Sequence, residues 1–166
     1  MKKILGFLWA LPASILCWLF YILPLIIFKE IKYVGKLDTF VWEFRNPINP
    51  TSWYDELWAR WAGWSGPCVV IIHEDMYALP EKLKIIRQHE LKHCQDQFKW
   101  GFFFYPAYLC ASAWLAVSNL WKKYEDRVHI YYSNPFEIAA RKAAGQVVDI
   151  PREWWPDGSD DYNPWM

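Results

Sequence analysis

Residues Ile4 to Phe28 form the longest apolar stretch of the chain, twenty-five positions without a charge after Lys2 and Lys3. A helix of that length crosses a hydrocarbon core of about 30 Å even when tilted, so the pattern predicts an N-terminal transmembrane helix over 1–29. The stretch closes as LPLIIFKE, without the small residues of a signal-cleavage site, which favours a retained anchor over a cleaved leader. Pro12 and Pro24 are expected to kink it, which membrane helices tolerate. Lysines stand at both ends (Lys2 and Lys3; Lys29, Lys32 and Lys36), so the positive-inside rule gives no orientation.

From Glu30 to Gly66 the periodicity is lost. The chain reads as irregular and tryptophan-rich, with the turn-forming run NPINPTSW and a short helix, YDELWARWAGW, starting near Asp55. Trp53, Trp58, Trp61 and Trp64 recur at helical spacing, either as a core-facing side or as an aromatic belt near a bilayer. Pro67 opens CVVII, whose β-branched residues predict a strand, a core strand or an edge able to pair with an extended peptide. HEDMYALP reads as a polar turn around His73, Glu74 and Asp75. A helix from about Glu81 carries PEKLKIIRQHELKHCQDQF.

Further on, Gly101 to Trp121 is a second charge-free run, and YYSNPFEIAARKAAGQVV predicts a helix capped by Ser133 or Asn134, with Ala140, Ala144 and Val148 along one side. The final DIPREWWPDGSDDYNPWM has neither period and reads as an irregular arm, with Trp154, Trp155 and Trp165 either folded back onto the domain, the favoured reading, or in contact with lipid. Together these elements predict a mainly α protein with a short β element: an N-terminal anchor (1–29), one domain (30–150) and a Trp/Pro-rich tail (151–166).

Composition sharpens the picture in two respects. Eighteen basic residues balance eighteen acidic ones, so no global field points to nucleic acid. Thirteen tryptophans, ten tyrosines and ten phenylalanines point to a membrane, with the lipid bilayer as a partner. The cysteines, Cys17, Cys68, Cys94 and Cys110, lack metal or redox spacing and read as mostly free, buried thiols. Cys94 follows His93 directly, but neighbouring helical residues point about 100° apart, which makes it a core residue.

The chemistry is concentrated in HELKH. On a helix, His89 and His93 lie one turn apart on one face and can hold a zinc ion through their ring nitrogens, with Glu90 placed to take a proton from water that the metal acidifies. A catalytic zinc needs a third protein ligand, and Glu137, in the first turn of the downstream helix, is the best candidate; His129, Glu125 and Asp126 compete. This pairing constrains topology. If 101–121 crossed a bilayer once, Glu137 would lie about 30 Å from the histidines. The run is therefore expected to be either a shallow, Pro106-broken element in the interface or a buried helix over the active site.

HELKHCQDQFKWG followed by YYSNPFEIAAR resembles the paired signature of gluzincins, the HExxH metallopeptidases with a downstream helical glutamate. More closely, HExxHxxQ, an aromatic apolar stretch and NPxExxA resemble a group of small bacterial and bacteriophage proteins described as metallopeptidases. The likeness covers about residues 85–145. It implies a zincin-like helical domain behind the membrane helix, zinc bound by His89, His93 and Glu137, Glu90 as general base, and a polypeptide substrate at a bacterial or phage-infected host inner membrane. The glutamine expected three residues after His93 is Asp96 here, which could itself orient a ligand imidazole. Tyr131, Tyr132 and His129 are candidate donors to a tetrahedral oxyanion. The alternatives are a non-catalytic membrane-associated interaction protein on the same scaffold and a zinc hydrolase acting on a non-peptide bond.

Overall fold

The computed structural model describes residues 2–27, 31–46 and 62–149. Helix α1 (Lys2–Cys17) continues through a π-helical turn, Trp18–Ile22, into α2 (Leu23–Ile27). The widened turn has a local cause: Pro24 has no N–H to donate and its ring crowds the carbonyl four residues back, while the Leu23 N–H reaches Trp18 O instead. Pro12 stays inside α1 without ending it.

Four strands follow, β1 (Lys32–Asp38), β2 (Val41–Asn46), β3 (Gly63–Gly66) and β4 (Val69–His73), in the sheet order β1-β2-β4-β3. The β2–β4 pair is parallel and the other two are antiparallel. The CVVII strand is thus found, as a central core strand with β3 at the edge beside it. The expectation of irregular chain over 30–66 was wrong for three strands. Both faces of β2 are covered, Val41 and Glu43 on one side and Trp42 and Phe44 on the other, so the alternation that marks a half-exposed strand is missing. The sequence of β3, Gly-Trp-Ser-Gly, has little strand propensity of its own. Trp64, assigned by its spacing to a helix, lies in β3; residues 55–61 of that helix and the tail lie outside the described residues.

The sheet is covered on both faces. Ile22 and Leu25 pack on Phe44, Val69 and Ile71, with Trp18 and Trp42 joining edge to face at 5.6 Å. On the opposite face, Val41, Val70 and Ile72 meet Leu83, Ile86 and Cys94 of α3 (Pro80–Trp100). α1 is therefore one layer of the domain. Its N-terminal half also reaches α3, with Phe7 edge-on to Phe98, and β1, with Lys3 paired with Asp38 at 2.9 Å. Between β3 and β4 the chain turns through Pro67 and Cys68, whose φ of 68° is the left-handed value a turn of this kind demands at its third residue.

After α3 a 3-10 turn leads into α4 (Phe104–Leu120), and α5 (Pro135–Ala144) ends the described fold. Pro106 sits in the first turn of α4, where its missing N–H costs nothing, and does not break it. α4 packs over the histidines on one side only, while Leu109 and Trp114 on the other side are exposed, so the run 101–121 is not the buried helix of the second expectation. Two helical stretches, Lys3–Ile27 and the continuous run Pro80–Leu120 that α4 completes, are long and apolar enough to meet the length and composition requirements of a membrane span.

Candidate metal centre

Two helices supply the centre. α3 begins at Pro80, a good first helical residue, and its inward face carries Leu83, Ile86, His89, Glu90, His93, Cys94 and Gln97 at spacings of three and four. α5 begins at Asn134, whose side chain accepts the Phe136 N–H at 3.0 Å, so Asn134 and not Ser133 is the cap. Ala140 and Ala144 let α5 approach α3 closely and bring Glu137 to the two imidazoles. All three side chains are buried, at 7 % exposure or less.

The donor atoms converge. His89 Nε2 and His93 Nε2 are 3.2 Å apart, His89 Nε2 lies 3.3 Å from Glu137 Oε2, and His93 Nε2 lies 3.3 Å from Glu137 Oε1. One donor atom from each of the three residues lies within 4.8 Å of the others, a grouping that could hold a metal ion. His89 Nδ1 lies 2.9 Å from Gln146 Oε1, an acceptor, so Nδ1 is the nitrogen that donates there, and Nε2 is the ring nitrogen turned toward Glu137. Among the described residues no other group of three His, Cys, Asp or Glu side chains has this arrangement.

Electrostatics follow from the geometry. Burial disfavours the Glu137 anion, yet hydrogen bonds and charge from the two imidazoles outweigh it and hold the carboxyl well below the usual carboxylate range. Burial likewise disfavours His93 imidazolium, but Glu137, then Glu90 and Asp96, raise its pKa. These opposed shifts describe an ion pair between the Glu137 carboxylate and the His93 ring. Glu137 Oε1 also accepts the Tyr108 hydroxyl at 2.9 Å.

Glu90 is buried beside this cluster, under the edge strand β3. A Cβ at Gly63 would stand 3.0 Å from Glu90 Oε1 and 2.9 Å from Ile86 Cγ2, so only glycine lets the strand pass this close. Gln97 ties the two elements together by donating to Ser65 O at 3.3 Å.

Other sequence expectations resolve as follows. Asp96 pairs with Lys92 one turn back and does not orient an imidazole; His93 Nδ1 is buried with no hydrogen-bond partner among the described residues. His129 is not a ligand: its ring stacks on Tyr132 at 4.4 Å and accepts the Tyr132 N–H. Glu125 and Asp126 are exposed in a 3-10 turn away from the cluster. Of the donor candidates, Tyr131 is the one beside the cluster, where burial and the Glu137 charge push its hydroxyl pKa well up, whereas Tyr132 packs under the Arg141 guanidinium. His73 and Asp75 meet at 3.4 Å as a polar turn. Cys94 is a core residue whose thiol faces Gly66 O and Val69 O; the cysteines are free, and Cys110, expected to be buried, is exposed.

Tyr108 and Gln146 were missed. A glycine after an alanine-rich helix marks its end, and Gly145 does adopt the left-handed φ of 70° that turns the chain so that Gln146 reaches back to His89. That local signal could have singled out Gln146; nothing local marks Tyr108. Compared with family models, curated proteins and solved structures, the chain has no match.

Proposed function

We propose that the protein is a membrane-associated zinc-dependent metallopeptidase of gluzincin type. The observation that carries the proposal is the convergence of His89 and His93 with Glu137, more than forty residues further along the chain, into one buried group that could hold a metal ion. Bound there, zinc would polarise a carbonyl and acidify water. Glu90, next to the first histidine and shielded from solvent, takes a proton from the attacking water and returns it to the leaving amine. β3 lies at the sheet edge among the described residues and passes over Glu90, so an extended peptide added to that edge would bring its backbone to the general base. Tyr131 is the nearest candidate to donate to the developing oxyanion.

Purified protein loaded with zinc should hold one metal per chain. Glu137→Ala should lose it, and Glu90→Gln should keep it while abolishing peptide hydrolysis. Undiminished hydrolysis by Glu90→Gln would remove Glu90 from the chemistry. The near-complete burial of the ligands favours a second reading, a closed structural zinc site in a non-catalytic interaction protein. Cobalt-substituted protein separates the two: a hydroxamate changes its visible spectrum only where a coordination position is open.

A further inference from the structure

We propose that the protein lies flat on a bilayer, docked through the outward faces of α1–α2 and α4, without crossing it. The argument is independent of the zinc reading and begins with the outward positions of the N-terminal helices. Ile4, Leu8, Leu16, Phe20, Leu23 and Ile27 are exposed, Phe20 at 77 %. A helix resting on a water-soluble core carries polar residues there, as α3 does with Glu81, Lys84, Gln88 and Gln95.

Lipid on that face does not require a crossing, and the rest of the fold opposes one. The inward side of α1–α2 is occupied along its whole length: Phe98 at Phe7, Cys68 at Ser14, Phe44 at Trp18, and the sheet at Ile22 and Leu25. Drawing α1 through hydrocarbon would carry the sheet with it. β1 is an edge strand among the described residues, with exposed Lys32 and Lys36, and its outer backbone groups would have no partners in lipid.

α4 gives the same answer. Its outward residues include Leu109, Trp114 at 72 % exposure and Leu120, with Phe102 exposed in the 3-10 turn before it. The chain then returns beside it as non-helical backbone: Asn119 holds both Val128 N–H and C=O, and Asn134 reaches Ser112 Oγ at 2.8 Å. The turn between carries Lys122, Lys123, Glu125, Asp126 and Arg127, all exposed. A crossing would place irregular backbone in hydrocarbon and these charges beyond it. Lying in the interface does neither. The two apolar faces meet where Trp9 packs against Phe103 at 6.3 Å, both exposed.

Charge identifies the occupant as a phospholipid bilayer containing anionic lipid. Among the described residues, exposed lysines flank both stretches, Lys3 with Lys32 and Lys36 around the first, Lys99 with Lys122 and Lys123 around the second. Such residues meet headgroup phosphates while the apolar face sinks about 5–10 Å.

The test uses the full chain with Cys110→Ser and a single nitroxide placed in turn at Leu5, Leu8, Leu16, Phe20 and Leu109, bound to vesicles of phosphatidylcholine and phosphatidylglycerol. Expected are depths agreeing within about 5 Å, close to the headgroup boundary, and at least tenfold weaker binding to vesicles lacking phosphatidylglycerol. A depth profile that descends to the bilayer centre and rises again along α1 overturns the proposal, as does a stable dimer that ignores vesicles, which would make a second copy the occupant. Leu16→Asp combined with Phe20→Asp should abolish vesicle binding and leave the thermal unfolding midpoint within a few degrees; unchanged binding overturns the proposal too. Failure of the wild-type protein to bind zinc would sink the peptidase reading and leave these depths untouched.

Discussion

Replacing Gln146 by leucine removes the acceptor that His89 Nδ1 uses at 2.9 Å. His89 is 1 % exposed, so water cannot take the place of the lost amide without opening the packing between α3 and α5. A buried imidazole N–H left unsatisfied costs about 1–3 kcal/mol. If the cost falls on the metal-bound form, where the ring must be held with Nε2 forward, it corresponds to about 10–100-fold in zinc affinity, the usual effect of losing a partner that orients a ligand histidine. Gln146→Glu supplies a carboxylate to the same N–H, raises the basicity of the ring and should bind zinc at least as tightly as the wild type. Competition with a chromophoric chelator measures all three affinities at equilibrium. Leucine and wild-type proteins with equal zinc affinity would refute the claim that Gln146 sets the tautomer of His89.

Gly63→Ala should retain zinc, lower the thermal midpoint by an amount corresponding to about 1–3 kcal/mol, and reduce hydrolysis, because its methyl group lands on Glu90 and Ile86; zinc titration, scanning calorimetry and a peptide assay check the three parts. Gly145→Ala meets no atom within 4 Å, so its cost of about 1 kcal/mol should come from the left-handed backbone alone, and Gly145→Asn should recover part of it in denaturant titrations. Arg87→Leu strips the guanidinium from buried Glu43, which it meets at 2.6 Å, and should destabilise by about 2 kcal/mol in urea. Hydrogen bonding and charge from Lys3, with the Thr39 N–H, hold Asp38 below the usual carboxylate value against a small effect of burial. The stabilisation from this exposed pair is therefore present above the unfolded pKa and lost as pH falls through the folded one; Lys3→Met should lower the midpoint slightly near pH 7 and leave it unchanged near about pH 2.

The helices and the ligand trio could be read from the chain because their signals are local. HELKH needs only the helical period to place its imidazoles together, and Asn134-Pro135 fixes where the helix of Glu137 starts. The sheet could not be read so easily, since β2 is covered on both faces and β3 has little strand propensity of its own. Glu43, a charge in the middle of β2, looks like a solvent residue until Arg87 and Tyr77 close on it from α3 and the turn before it. The N-terminal stretch was read for length and apolarity, which a bilayer span and an interfacial layer share. Only the contacts of Trp18 and Leu25 with the sheet show that this stretch also belongs to the core.

The double cover on the sheet bears on how the protein can be handled. Cutting away the first 28 residues, a common way to make a membrane protein soluble, would uncover Phe44, Val69 and Ile71 in one step. Those side chains would form a flat apolar wall next to an unprotected strand edge, the arrangement from which chains stack and precipitate. The shortened polypeptide should therefore collect in inclusion bodies, and its HELKH helix would lose the support that holds it in register. Detergent or lipid added to the whole chain keeps that wall covered.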